Sequence, residues 1–565
     1  MSFELYSGGK SERGASGTLR TLLIFAALIA LYLTRLGDAG LMEPDEARNA
    51  AISRAMVSSG DYVTPRLNGL KYNGNPSPSY MPVAASLRLF GVNNFAARFP
   101  SALMALVGIA AAWAAARRMY GKDAADWSAI VLGTSWLYFG VGRMCTHDMP
   151  FAALVTIAMA TAWPVIADNK PSRARLALFF ASLGLCAATG GLAFAALPVG
   201  ALLCYALAAR DSGSFWRFAL WLPGYVIFAA ITLPWFALTG MGNPLADAAG
   251  SALGDAWPLR LIIAVVAAGF VPWLGFMPGA LRDAFTEAGR FTRRRGGQES
   301  AAMFLLCWCF FTFLFVVIFF FAAQSKQIFV LAAALPPAAI LTGRAISRRT
   351  SVHGRAQGLT AATVLNALVL IALAAVLFTL NQTFRDPRYD LKLAWQTGRM
   401  AALALTLFAV LSLACLGKTR ARWFSLAVPA AALLLLFTVQ PAARVAASRL
   451  SAYELCVNLK EVIKPDDILI NYRDFIRSPQ FYLGKRIILA DYAGELEYGK
   501  NAEPDLARGY FPTVSEFEKL AAAPSSGDKI IIFEDERGKD LPPFLARGAV
   551  VAATSQNFTA VRLKR

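Results

Sequence analysis

Three carboxylates, Glu43, Asp45 and Glu46, crowd the segment Leu41-Met-Glu-Pro-Asp-Glu-Ala-Arg. Pro44 suits the first position of a helix, and acids in a first turn complement the helix dipole, so helix-start chemistry alone accounts for them. A second acidic helix start, Thr146-His-Asp-Met-Pro, presents Asp148 beside His147. Two acidic helix starts facing one cleft would hold an acceptor hydroxyl, or share a divalent ion, next to a lipid-borne substrate. With His147 and His353 the only histidines, a His-based zinc site is excluded. The identity of any metal stays open.

The elements that must carry these residues are membrane helices. Of 565 residues, 57% are hydrophobic and 16% charged, whereas a soluble domain carries about 25% charged residues. The apolar residues gather in blocks of roughly 17–22, the length that crosses a bilayer. About thirteen such blocks run from Leu22–Leu36 to Phe424–Val439, with Trp127–Val141 read as one of them. No small-residue cleavage pattern follows the first block, so it reads as a retained span rather than a signal peptide.

Short basic loops alternate with loops almost free of Lys and Arg, as around Arg117/Arg118/Lys122 and Arg282 to Arg295. This positive-inside pattern predicts a cytoplasmic N-terminus. The loop holding Arg385, Arg388, Lys392 and Arg399 is its exception. The formal charge of +19 is spread over loops, which favours a membrane surface and excludes a nucleic-acid partner. Spans nearly free of polar residues argue against a transporter. Two segments are then expected on the periplasmic side, a first loop at 37–94 and everything after Pro441. The division is a membrane domain at 1–440 and a periplasmic domain at 441–565.

The tail reads as a small α/β unit. Ile468-Leu-Ile-Asn-Tyr, Arg486-Ile-Ile-Leu-Ala and Lys529-Ile-Ile-Ile-Phe are short β-branched runs, and Val550–Thr554 and Phe558–Leu563 would add edge strands. Val514–Ala522 has helical spacing, with Thr513 or Ser515 as its cap. No catalytic constellation is visible in it.

Taken together, Glu43-Pro-Asp-Glu-Ala-Arg, Gly60-Asp-Tyr-Val-Thr-Pro-Arg-Leu-Asn-Gly-Leu-Lys-Tyr and Leu89-Phe-Gly-Val-Asn-Asn-Phe-Ala-Ala-Arg-Phe-Pro-Ser-Ala resemble the bacterial aminoarabinose (lipid A) transferase family. That family is a branch of the GT-C membrane glycosyltransferases related to protein O-mannosyltransferases. Gly142-Arg-Met-Cys-Thr-His-Asp-Met-Pro resembles its next acidic motif, and Ser325-Lys a shortened later one. Asp491-Tyr-Ala-Gly-Glu-Leu-Glu-Tyr-Gly resembles its periplasmic domain, so the likeness covers nearly the whole chain.

The resemblance implies transfer of a sugar from a polyprenyl-phosphate donor to a lipid A-like or protein acceptor on the periplasmic face of the bacterial inner membrane. Asp45 then corresponds to the catalytic carboxylate and Asp148 to the second acid of the cavity. Glu46, Arg48, Arg66, Lys71, Arg143, His147 and Lys326 become candidates for binding substrate. A divalent ion is a candidate cofactor. The family has Phe-Glu-Lys-Pro-Pro where this chain has Asn73-Gly-Asn-Pro-Ser, so Gly74 and Asn75 stand at the Glu and Lys positions. Gly190 replaces a second lysine. Since asparagine cannot supply a lysine's charge to phosphate, the alternative is a non-catalytic paralogue that binds polyprenyl lipid or partners an active transferase.

Overall fold

A computed structural model describes residues 8–168, 172–239, 259–291, 297–322, 328–350, 356–386, 389–416, 421–535 and 549–563. Lys326 with its neighbours Ser325 and Gln327 lies outside the described residues.

The apolar blocks that begin and end in described residues fold mainly as helix, some of them in two pieces. Among the described residues seven helices are long and apolar enough to cross a membrane, or eight if the pair Ser212–Ala219 and Leu222–Trp235, bent by 55°, is one span. The expectation of about thirteen came from apolar composition alone, and some blocks are short or broken helices. Trp127–Val141 is one. It divides between α5 (Lys122–Gly133) and α6 (Trp136–Val141). At the break the Thr134 and Ser135 hydroxyls donate back to the carbonyls of Ile130 and Val131, a contact that loosens the helical ladder. The Trp273 indole N–H donates to Thr134 Oγ1 at 2.9 Å and Trp136 N–H to the Val271 carbonyl at 3.0 Å, fixing the step.

Between α1 (Gly8–Leu33) and α4 (Asn94–Tyr120) the first loop is itself ordered. Helix α2 (Asp45–Ser59) ends at Gly60, whose φ of 74° is the left-handed cap that glycine accepts without strain. A hairpin follows, β1 (Arg66–Leu67) against β2 (Leu70–Lys71), turned by Asn68 and Gly69 with positive φ. Helix α3 (Met81–Phe90) leads to Asn93, whose side chain caps α4 by accepting from Ala96 N–H at 2.8 Å.

The C-terminal α/β domain is a five-stranded sheet of order β4-β3-β5-β7-β6. Strands β3 (Ile468–Tyr472), β4 (Ile487–Ala490) and β5 (Lys529–Glu534) are parallel, and β6 (Ala549–Thr554) and β7 (Phe558–Leu563) join antiparallel. The helix Val514–Ala522 starts on a capping box of Thr513 with Glu516. One apolar core joins this sheet to the first loop: Leu41, Ile52, Met56, Leu67 and Tyr80 pack in the cluster that contains Leu455, Phe475, Phe481 and Leu489.

Membrane helices pack closely where side chains are small. A Cβ on Gly343 would lie 2.5 Å from the backbone nitrogen of Ser128, whereas one on Gly140 meets nothing within 4 Å. Gly343→Ala should therefore destabilise by about 1–3 kcal/mol, seen as a lower melting temperature in detergent. Gly140→Ala should be neutral or stabilising; equal melting shifts for the two would refute this packing.

Candidate functional site

The first acidic segment is organised by Glu46 rather than by Asp45. Glu46 is fully buried and receives Arg98 Nε and Cys145 N–H on Oε1, each at 2.8 Å. Its Oε2 receives Arg98 Nη2 at 2.8 Å and Met42 N–H at 3.1 Å. A carboxylate offers about four acceptor positions, and these contacts use them. Glu46 thus has no lone pair left for a ligand, which corrects its reading as a substrate contact. Arg143 is likewise engaged elsewhere. It donates to the carbonyls of Leu31, Tyr32 and Thr34 at the end of α1, at 2.8–2.9 Å. Arg66 forms a two-pronged pair with Glu503 at 2.9 and 3.1 Å, and Lys71 Nζ lies 3.9 Å from the same carboxylate. Arg66 therefore fastens the hairpin to the C-terminal domain, and the half-exposed Lys71 faces the same carboxylate more loosely.

Asp45 begins α2, its side chain 48% exposed, and accepts from Arg48 Nη2 at 2.5 Å. Asp148 begins α7 (Asp148–Ala167) at 4% exposure, within electrostatic reach of His147 and Asp45. Both ring nitrogens of His147, which is 7% exposed, and Oδ1 of Asp148 are buried without a hydrogen-bond partner. So are Arg48 Nε, Asn49 Oδ1 and the Tyr80 hydroxyl. Buried polar groups are nearly always paired, so orphans gathered on these neighbouring segments make them the candidate place for a polar ligand. Asn49 also donates to the Cys145 carbonyl at 3.0 Å, stitching α2 to the turn before α7. Among the described residues no group of three or more His, Cys, Asp or Glu side chains is placed to hold a metal ion.

The C-terminal domain reaches the start of α2. Glu495 accepts from Arg48 Nη1 at 3.1 Å and from Arg477 Nε at 2.5 Å. Burial alone would raise the Glu495 carboxyl, but Arg477 and Arg48 outweigh it and hold it below the usual carboxylate range. Glu503 is also held low by Arg66 and the Lys71 amide. For Glu43 burial wins over Arg477 and the carboxyl is raised. Neither Glu495 nor Arg477, Arg98, Tyr80 or Asn49 stood out in the sequence as a site residue. Arg98 and Glu495 do lie in the family-like blocks, and that was the only available signal.

A carboxylate lowered on folding adds stability above its unfolded pKa, about 4.3 for glutamate, and loses it as pH falls through the folded value. Glu495 and Glu503 thus make the domain junction acid-labile below that range, and the raised Glu43 acts in the opposite sense. Glu503→Gln should flatten the fall in melting temperature between about pH 5 and 3. An acid profile identical to wild type would contradict the assignment.

Residues 76–237 match the family described as dolichyl-phosphate-mannose-protein mannosyltransferase. The undecaprenyl phosphate-alpha-4-amino-4-deoxy-L-arabinose arabinosyl transferase of Edwardsiella ictaluri is 30% identical over 274 residues, 46% of this chain and 49% of that protein. A Sodalis glossinidius transferase of the same name is 32% identical over 291 residues, 48% and 50% of the two chains. The chain spans about half the length of the curated relatives it matches. Among solved structures, apo ArnT from Cupriavidus metallidurans aligns over 97% of this chain and 98% of its own, with a TM-score of 0.79 and 24% identity. The same protein bound to undecaprenyl phosphate gives 0.78 at 23% identity, over 96% and 97%. Archaeal oligosaccharyltransferase AglB from Archaeoglobus fulgidus gives 0.51 at 11% identity, over 93% of this chain and 70% of that one. The chain is thus a polytopic membrane protein with the GT-C fold of ArnT and AglB, similar in sequence to the bacterial aminoarabinose transferases.

Proposed function

We propose that this protein is a glycosyltransferase moving a sugar from a polyprenyl-phosphate donor to a lipid A-like or protein acceptor. In this reading it works at the periplasmic face of the bacterial inner membrane, with a cytoplasmic N-terminus. Residues 1–440 form the membrane domain and 441–565 the periplasmic one. The observation that carries the reading is the pair of acidic helix starts, Asp45 and Asp148, within electrostatic reach of each other beside buried polar atoms without partners, set in a fold shared with a structure that binds undecaprenyl phosphate.

The acceptor oxygen bonds to the anomeric carbon as the bond from that carbon to the phosphate oxygen breaks. The electron pair leaves with polyprenyl phosphate. Asp45 orients the acceptor and takes the proton when that acceptor is a hydroxyl. Asp148 positions the acceptor from the opposite helix start. Arg48 Nε–H and the His147 ring are the buried donors that meet the leaving phosphate, where charge develops. Lys71 and Lys326 are its further cations. Glu46, Arg66 and Arg143 act as scaffold.

Asp45→Asn should abolish transfer in proteoliposomes while leaving insertion intact, because a half-exposed helix-start pair contributes only about 1 kcal/mol or less. Asp148→Asn should slow transfer to a smaller degree. Full turnover by Asp45→Asn would remove the catalytic role. Binding of undecaprenyl phosphate without any transfer by wild type would favour the non-catalytic lipid binder, a reading that Gly74 and Asn75 support.

The orientation has its own check. Tags placed after Gly289 and after Arg565 should be reached from opposite sides of the membrane. Equal accessibility of the two would overturn the topology.

A further inference from the structure

Asp45 is held by more than its own helix. Its Oδ1 accepts from Arg48 Nη2 at 2.5 Å, and Arg48 Nη1 donates to Glu495 Oε2 at 3.1 Å. Glu495 Oε1 accepts from Arg477 Nε at 2.5 Å, and Arg477 Nη1 lies 3.6 Å from Glu43 Oε2. Pro44 links Glu43 back to Asp45, so the charges close a ring between the first loop and the C-terminal domain. Arg48, Glu495, Arg477 and Glu43 have side-chain exposures of 12–17%, whereas Asp45 is 48% exposed. A guanidinium is a rigid planar fork, so an anchor on one terminal nitrogen fixes where the other points.

We propose that Glu495 is a positioning residue for Asp45, acting through Arg48, and that the C-terminal domain therefore completes the active site. This rests on the transferase reading for its kinetic consequences, but not for the contact itself. Glu503 supplies the internal comparison, because it joins the same two parts through Arg66 and Lys71 without reaching Asp45.

The test uses the full chain in lipid nanodiscs, with an undecaprenyl-phosphate-linked aminoarabinose donor and lipid A. Glu495→Gln should lower kcat at least tenfold while changing KM for the donor less than threefold. Glu495→Asp should restore most of the rate. Glu503→Gln should lower the melting temperature as much as Glu495→Gln does, yet keep kcat within threefold of wild type. Wild-type kcat in Glu495→Gln, or rate losses that follow melting temperature equally in both variants, would reduce Glu495 to a staple between domains.

Hydrogen exchange reads the same contact without turnover. The amides of Ala47 and Arg48, bonded to the carbonyls of Met42 and Pro44 in the first turn of α2, should exchange at least tenfold faster in Glu495→Gln. They should be protected again in Glu495→Asp and unaffected in Glu503→Gln. If wild type transfers no sugar, the transferase reading fails and exchange alone decides the hold on α2. Unchanged exchange in Glu495→Gln overturns the proposal.

Discussion

The buried pair of Arg98 and Glu46 is the fastening on which this end of the bundle depends. Arg98 spends two of its donors on the carboxylate and the rest on the carbonyls of Leu36, Ala39 and Gly40, which follow the first membrane helix. Glu46 in turn holds Cys145, just ahead of Asp148. One ion pair therefore sets the end of α1, the start of α2, the body of α4 and the turn into α7 relative to one another. Desolvating two charges is costly, and the pair is tolerable because every donor and acceptor is used. Removing one partner would strand the other, at about 3–5 kcal/mol. Asp45 and Asp148 sit at the two helix starts that this joint ties together.

The C-terminal domain adds a second constraint. Its apolar side chains share a core with the first loop, and polar contacts register the two parts. Asn68 pairs with both backbone groups of Ile487, at 2.7 and 2.8 Å, in the manner of a strand edge. The Tyr482 hydroxyl accepts from Leu41 N–H and donates to Asn94, touching both ends of the first loop. With this docking Arg48 and Arg477 can share Glu495 out of water. Undocked, the same charges would be solvated and free to change rotamer.

Local pattern determined what was legible. Apolar runs of bilayer length fold as helices, and the β-branched runs of the tail pair into the expected sheet, with Thr513 as the helix cap. The breaks were not legible, because Thr134 and Ser135 interrupt a helix only through hydroxyl and indole contacts that hydropathy does not register. At the site, the acidic helix starts were visible as motifs. Which acid faces ligand and which is locked in the scaffold was not. Glu46 and Asp45 are neighbours in sequence, and only the partner 52 residues away decides between them. Glu495 lies 447 residues from Arg48, beyond any local signal.

The departure at Asn73-Gly-Asn-Pro-Ser has a steric side as well as an electrostatic one. A Cβ on Gly74 would fall 2.5 Å from the Tyr72 hydroxyl and ring edge, so Tyr72 fills the space where the resemblance expects a glutamate side chain. Restoring that glutamate alone would displace Tyr72. The charge balance is the stricter constraint. Among the described residues, Glu43, Asp45 and Glu495 face the guanidiniums of Arg48 and Arg477, and Asp148 lies within electrostatic reach of Asp45. Acid exceeds base even before a phosphate enters, and a raised Glu43 relieves part of the excess. Lipid phosphate can be held there only if further donors turn toward it. Arg48 Nε and the His147 ring, buried without hydrogen-bond partners, and Lys71, whose half-exposed ammonium also faces Glu503, are the donors the geometry leaves for it among the described residues. On the proposed transferase reading, the charge missing at Asn75 comes from Lys71 in the hairpin, with the His147 ring as a hydrogen-bonding group at the opposite helix start, rather than from the loop between them.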